Sequence, residues 1–241
     1  MRKYIKRLTL IVVIVAIAAV ILHNQVEGGV TGSKSDEAAE AGTGHLAGNQ
    51  GDPVQPSAID ESFGPLAGKT IVVDAGHGGK DVGSIGKNGS YEKDATMPAA
   101  LELKRQLESK GATVVLTRET DDKIPLEERV DIAADETADL FISIHFDAYE
   151  DRNVTGMTTY YNKEEDMRFA ELVHERLAKL GTKDRGVQFG DYFVLRENAR
   201  PSILLELGYI SNEQDEKRMM TDAFREQAAT AIVEGVVVCL A

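Results

Sequence analysis

The chain has 241 residues, 42% hydrophobic and 28% charged, which is enough for one sizeable domain plus additional segments. Its net charge of −13 argues against nucleic-acid binding as the main task, because neutralising phosphates requires a basic face. The single cysteine, Cys239, excludes an internal disulfide and a cysteine-rich metal cluster, and in its apolar C-terminal setting it reads as a small packed hydrophobe.

The charge is unevenly distributed. Arg2, Lys3, Lys6 and Arg7 precede Leu8–Leu22, an apolar run broken only by Thr9. Basic residues followed by such a run match a secretory signal or signal-anchor over residues 1–25. Apolar residues continue beyond the Ala16-Ile17-Ala18 cleavage-like triplet, which favours an uncleaved anchor helix with its positive end in the cytoplasm. Everything after it is then exported. Residues 26–67 are rich in Gly, Ala, Ser and acids, contain Pro53, Pro56 and Pro65, and predict a flexible acidic linker. His23 and His45 lie in this polar region and read as solvated bystanders.

Residues 68–241 alternate strand and helix patterns. Thr70-Ile71-Val72-Val73 reads as a short buried strand, and Asp74-Ala75-Gly76-His77-Gly78-Gly79 ends it with a histidine among glycines. A glycine-rich loop runs to Tyr91. Asp94 is then the predicted N-cap of a helix reaching about Lys110, with Ala100, Leu103 and Leu107 on one face. Strands follow at Ala112–Thr117, at Asp139–His145 (again ending in a histidine) and at Gly156–Tyr161, with a helix over Pro125–Asp135. An amphipathic helix carries Phe169, Leu172, Val173, Leu177 and Leu180, and its His174 reads as half-exposed. Tyr192–Leu195 and Ile203–Leu207 read as two further strands. Two helices finish the chain, the first with a predicted capping box of Ser211 and Gln214. The pattern predicts a single α/β domain: a mostly parallel sheet of roughly six strands with helices on both faces.

Ligands in such sheets collect beyond the carboxyl ends of the strands, where His77 and His145 both fall. Glu206 interrupts the apolar run Ile203–Leu207. A carboxylate there is costly unless it is paired or metal-linked. Arg118, Arg185, Arg196 and Arg200 are available as structural partners. Glu92 closes the glycine-rich loop and can fold back over His77. Two neutral imidazoles and a carboxylate suit zinc with a fourth position open, and a second glutamate is then needed to handle the proton of a bound water. Spacing alone does not say whether Glu92 or Glu206 is the ligand.

From about Lys69 to Ala241 the chain closely resembles the zinc-dependent N-acetylmuramoyl-L-alanine amidases, the amidase type 3 family. The landmarks occur in order: Val73-Asp74-Ala75-Gly76-His77-Gly78-Gly79, Tyr91-Glu92-Lys93-Asp94, Thr117-Arg118, Leu126 with Arg129, and Ser143-Ile144-His145. Asp184-Arg185-Gly186-Val187, Val194-Leu195-Arg196 and Leu205-Glu206-Leu207-Gly208-Tyr209-Ile210-Ser211-Asn212 complete the set. The resemblance implies that His77, Glu92 and His145 hold one zinc ion and that Glu206 is the catalytic carboxylate. It also implies hydrolysis of the amide between the lactyl group of N-acetylmuramic acid and L-alanine of peptidoglycan. Arg118, Arg185 and Arg196 are candidates to hold stem-peptide carboxylates, and equally candidates for structural ion pairs. Phe146-Asp147 departs from the small residue and Asn that the family often carries after the second histidine. Some relatives insert an inhibitory helix after that histidine. Only Phe146–Thr155 stands there in this chain, so the cleft is expected not to be self-blocked. The expected partners are peptidoglycan and the cytoplasmic membrane, the expected location is extracytoplasmic, and the chain is expected to be a monomer. Competing readings are a non-catalytic wall-binding or regulatory homologue and another envelope metallo-hydrolase.

Overall fold

The computed structural model describes residues 64–240. The predicted anchor at Leu8–Leu22 and residues 26–63 of the predicted linker lie outside the described residues. Among the described residues no helix is long and apolar enough to cross a membrane.

Six strands form one sheet: β1 (Thr70–Ala75), β2 (Thr113–Leu116), β3 (Leu140–Asp147), β4 (Met157–Tyr161), β5 (Asp184–Phe189) and β6 (Ser202–Tyr209). The helices are α1 (Glu92–Ser109), α2 (Leu126–Asp135), α3 (Met167–Leu177), α4 (Phe193–Arg196), α5 (Glu213–Met219) and α6 (Asp222–Leu240). The strand order is β2-β1-β3-β6-β4-β5, and all neighbours are parallel except β4 and β6.

The central strands are β-branched and leucine-rich because both of their faces are covered. Residues of alternating parity enter two separate clusters. Ile71, Val73, Ile142, Ile144, Ile203 and Leu205 pack with residues of α1, α3 and α6. Val72, Phe141 and Leu204 pack with residues of α2 and α4. Leu66, ahead of the first strand, is fully buried in the larger cluster, and Cys239 packs against its edge.

Three local expectations are corrected. Tyr192–Leu195 is not a strand. A four-residue apolar run carries no usable periodicity, and here it closes into one helical turn through Arg196 N donating to Tyr192 O (2.9 Å) and Glu197 N to Phe193 O (2.9 Å). The strand in its place is β5, whose sequence Asp-Arg-Gly-Val-Gln-Phe is half-exposed and polar. As the edge of the sheet it has one neighbour and no buried alternation to announce it. At α5 the cap is Asn212, whose side chain accepts from Gln214 N (3.0 Å) and Asp215 N (3.2 Å), while Ser211 Oγ accepts from Tyr149 N (3.0 Å).

A fourth correction bears on the site. α1 starts at Glu92 with Tyr91 as its N-cap, two residues before the predicted Asp94. Glu92 therefore sits on the first turn of a helix, where the backbone favours a negative side chain. It is held by helical geometry together with the loop, whose Ser84 carbonyl accepts from Glu92 N (3.0 Å).

Candidate metal centre

Polar residues in the three central strands all share the parity of the smaller cluster. On β1 the side chains alternate so that Asp74 follows Val72. On β3, Ser143 and His145 follow Phe141, and on β6 Glu206 follows Leu204. Parallel pairing aligns Asp74 with Ser143 and His145 with Glu206. A one-residue slip would send each of these groups into the apolar core beneath α1 and α6. Their convergence is thus a consequence of strand register.

Glu92 stands between the two imidazoles. Its Oε2 is 3.0 Å from His77 Nε2, and its Oε1 is 2.9 Å from His145 Nδ1. The rings meet edge to face with centroids 4.8 Å apart. One ligand-type atom from each of His77, Glu92 and His145 lies within 4.8 Å of the others. The backbone fixes Glu92 further, since Ser84 N donates to Oε2 (2.9 Å) and Phe146 N to Oε1 (3.1 Å). His77 Nδ1 lies 3.0 Å from Asp81 Oδ1, which leaves Nε2 facing the cluster. Two glycines make room. A Cβ on Gly76 would stand 2.4 Å from His145 Cε1, and one on Gly83 would stand 2.6 Å from Glu92 Oε2.

A buried lattice of hydrogen bonds carries the loop that presents His77. Asp74, 1% exposed, accepts from Arg129, from Thr117 Oγ1 (2.7 Å) and from Ser143 Oγ (2.6 Å). Arg129 also donates to the carbonyls of Ala75 (2.9 Å) and His77 (2.8 Å). Arg118 donates to those of Ala75 (3.0 Å) and Gly76 (3.2 Å). His77 itself adopts a positive φ of 61°, a conformation unfavourable for a residue with a Cβ. Two arginines gripping three consecutive carbonyls hold it there.

The electrostatics divide the carboxylates. Burial disfavours the Glu92 anion, but the two histidines outweigh burial and hold its carboxyl well below the usual range. Burial likewise works against charge on His77, and Glu92 and Asp81 overcome it, so its pKa is raised. Glu206 goes the other way. It is 7% exposed, and burial, then the nearby Glu92 and Asp147, push it well above the ordinary value of 4.5. Its Oε2 is buried with no hydrogen-bond partner among the described residues.

The remaining residues singled out in the sequence lie elsewhere. Arg118 is 4% exposed and bonded to backbone carbonyls. Arg196 is exposed and pairs with Asp191 and Glu197. Arg185 lies over the Tyr209 ring at 5.1 Å. None of the three lines the cleft of about 520 Å³ that opens over the cluster. His174 is not half-exposed. It is buried, 2.9 Å from Thr159 Oγ1 and 2.9 Å from Asp184 Oδ1, and it ties α3 to the sheet. Asp74 and Asp81 were not read as site residues from the sequence. A carboxylate among the valines of β1 was as legible a signal as Glu206, whereas Asp81 sits in a loop and offered none.

The sequence family described as N-acetylmuramoyl-L-alanine amidase matches residues 71–237. The chain belongs to that family. This amidase type 3 assignment places it among hydrolases of the peptidoglycan amide bond. Over 174 residues it is 43% identical to the probable cell wall amidase LytH of Staphylococcus aureus, covering 71% of this chain and 58% of LytH. It therefore spans under two thirds of that relative's length. It is 38% identical over 177 residues to the uncharacterized protein YqiI of Bacillus subtilis, covering 71% of this chain and 85% of YqiI. The catalytic domain of CwlV, an N-acetylmuramoyl-L-alanine amidase from Bacillus (Paenibacillus) polymyxa var. colistinus, superposes with a TM-score of 0.70 at 35% identity. That match covers 71% of this chain and 98% of CwlV's domain.

Proposed function

We propose that this chain cleaves the amide between N-acetylmuramic acid and L-alanine of the peptidoglycan stem, using one zinc ion held by His77, Glu92 and His145. The observation that carries the reading is the meeting of two imidazoles and the Glu92 carboxylate between them at the carboxyl edge of the sheet, beside a buried glutamate with an unpartnered oxygen. The donor set fits zinc, which takes nitrogen and carboxylate ligands and in hydrolases keeps a position open. Gly76 and Gly83 keep the cradle free of side chains that would fill it. Zinc bound there supplies a Lewis acid and lowers the pKa of water toward about 7.

The residues of the chain do the rest. Glu206, next to His145 in the sheet, accepts the proton of the attacking water on its carboxylate and passes it to the departing amine of L-alanine. Its raised pKa makes it a stronger base than an exposed glutamate. Asp81 holds the His77 ring with Nε2 toward the cluster, and the Asp74–Arg129 pair keeps the supporting loop in place. A non-catalytic homologue would lack a ligand or the base, and His77, Glu92, His145 and Glu206 are all present.

The reading extends to location. Leu8–Leu22 anchors the chain in the cytoplasmic membrane, and residues 26–67 let the catalytic part reach the wall on the outer side. Digesting purified peptidoglycan with and without a chelator, followed by mass spectrometry, tests the activity. The expected products are free N-terminal L-alanine and unbroken glycan, with none formed by the chelated protein or by His77→Ala. Cleavage at any other bond, or undiminished cleavage without metal, overturns the reading.

A further inference from the structure

Asp74, Asp81, Glu92, Asp147 and Glu206 line the cleft together with two cations, Arg129 and Lys123. Arg129 is committed to Asp74 and to the carbonyls of Ala75, His77 and Ile124. The nearby Lys93 is committed as well, to Asp121 and the Gly79 carbonyl. Lys123 differs: its ammonium makes no hydrogen bond or ion pair among the described residues, its charge only helps to hold the Asp81 carboxyl low, and the residue is exposed at the cleft wall.

The backbone beneath Lys123 is well fixed. Arg129 Nε donates to the carbonyl of the next residue, Ile124, at 3.1 Å. Gly79 packs so closely that a Cβ there would stand 2.8 Å from Lys123 N. A fixed backbone with an exposed ammonium that makes no hydrogen bond suits capture of an anion that arrives with the substrate.

Given the amidase reading, on which this inference rests, substrate chemistry says where that anion lies. The lactyl carboxyl is tied up in the scissile amide, and N-acetylated sugars are neutral. Negative charge therefore resides on the stem peptide, in its free carboxylates. We propose that Lys123 binds a stem-peptide carboxylate, so that the peptide half of the substrate lies along the Lys123–Leu126 wall and anionic stems are preferred over amidated ones. Of the two cations lining the cleft, Lys123 is the one without a hydrogen-bonded or ion-paired partner among the described residues, so it is the one placed to meet an arriving carboxylate.

The test uses two matched muropeptides, one with its stem carboxyl groups free and one with them converted to carboxamides. The wild-type protein should show a kcat/KM about two- to fivefold higher for the free form, the scale expected of an exposed ion pair. The preference should shrink at high salt. Lys123→Met and Lys123→Gln should bring the ratio to about one by slowing the anionic substrate. Lys123→Glu should invert the ratio, and Lys123→Arg should keep it. A wild-type ratio of one, or the wild-type ratio persisting in both neutral variants, overturns the proposal. If the zinc-loaded wild type cleaves neither substrate, the amidase reading itself fails and the proposal falls with it.

Discussion

Replacing Glu206 with glutamine tests both the electrostatics and the chemistry of the site. In the folded chain Glu206 is 7% exposed, has a buried oxygen with no partner, and faces Glu92 and Asp147. Burial first and those acids second raise its pKa above 4.5. A carboxyl raised on folding binds more protons in the folded than in the unfolded state, so stability falls as pH rises from the unfolded value of about 4.3 toward the folded one. A gap of one pH unit between the two costs about 1.4 kcal/mol. At about 2–4 °C of Tm per kcal/mol for a domain of this size, that is about 3–6 °C. Glutamine has the same shape and does not titrate. In chelator-treated protein, the Tm of Glu206→Gln should match wild type near pH 4 and exceed it at pH 8, by about 3–6 °C for each unit of the shift, as read by scanning calorimetry. With metal restored, the same variant should hold zinc yet lose about 10²–10⁴ in turnover. A Tm difference that does not change with pH would refute the electrostatic argument. Full turnover would refute the assigned role.

Asp74→Asn leaves the buried Arg129 guanidinium without its carboxylate and should cost about 3–5 kcal/mol, with Arg129→Met in the same chain recovering part of the loss. Burial opposes the Asp74 anion, but Arg129, Ser143 and Thr117 hold its pKa below the ordinary 3.8. Its stabilising contribution is therefore present above about pH 4 and lost on acidification, and the gap between variant and wild type should narrow as pH falls. Urea melts at pH 7 and pH 3 check both parts, and a loss under about 1 kcal/mol at pH 7 counts against the pair. Gly83→Ala pushes a methyl toward Glu92 Oε2 and His77 Cδ2 at a φ of 68°. Calorimetric zinc titration should show affinity reduced by about 10–100-fold with an unchanged circular dichroism spectrum, and an affinity within twofold of wild type would dismiss the crowding argument. Residues 148–156, between β3 and β4, contain no helix. The purified chain should therefore cleave wall fragments without an activator protein, and a strict requirement for one would show a blocked cleft.

Periodicity and composition were enough for the alternating α/β pattern, the sheet's mainly parallel character, and the suspicion attached to His77, His145 and Glu206. Those signals are local. Apolar runs that end in glycine and histidine, or are broken by one acid, are unusual in the chain itself. Two local features misled. Phe193–Arg196 is too short for its period to show, and β5 is an edge strand whose polar sequence hides it. Tertiary structure alone decided the rest. Strand register put His145 beside Glu206 and Asp74 beside Ser143, and the start of α1 at Glu92 aimed that carboxylate between two imidazoles. Which arginines are structural depends on partners dozens of residues away, such as the 55 residues separating Arg129 from Asp74. Proximity of that kind is created by chain folding and leaves no trace in the spacing of residues along the chain.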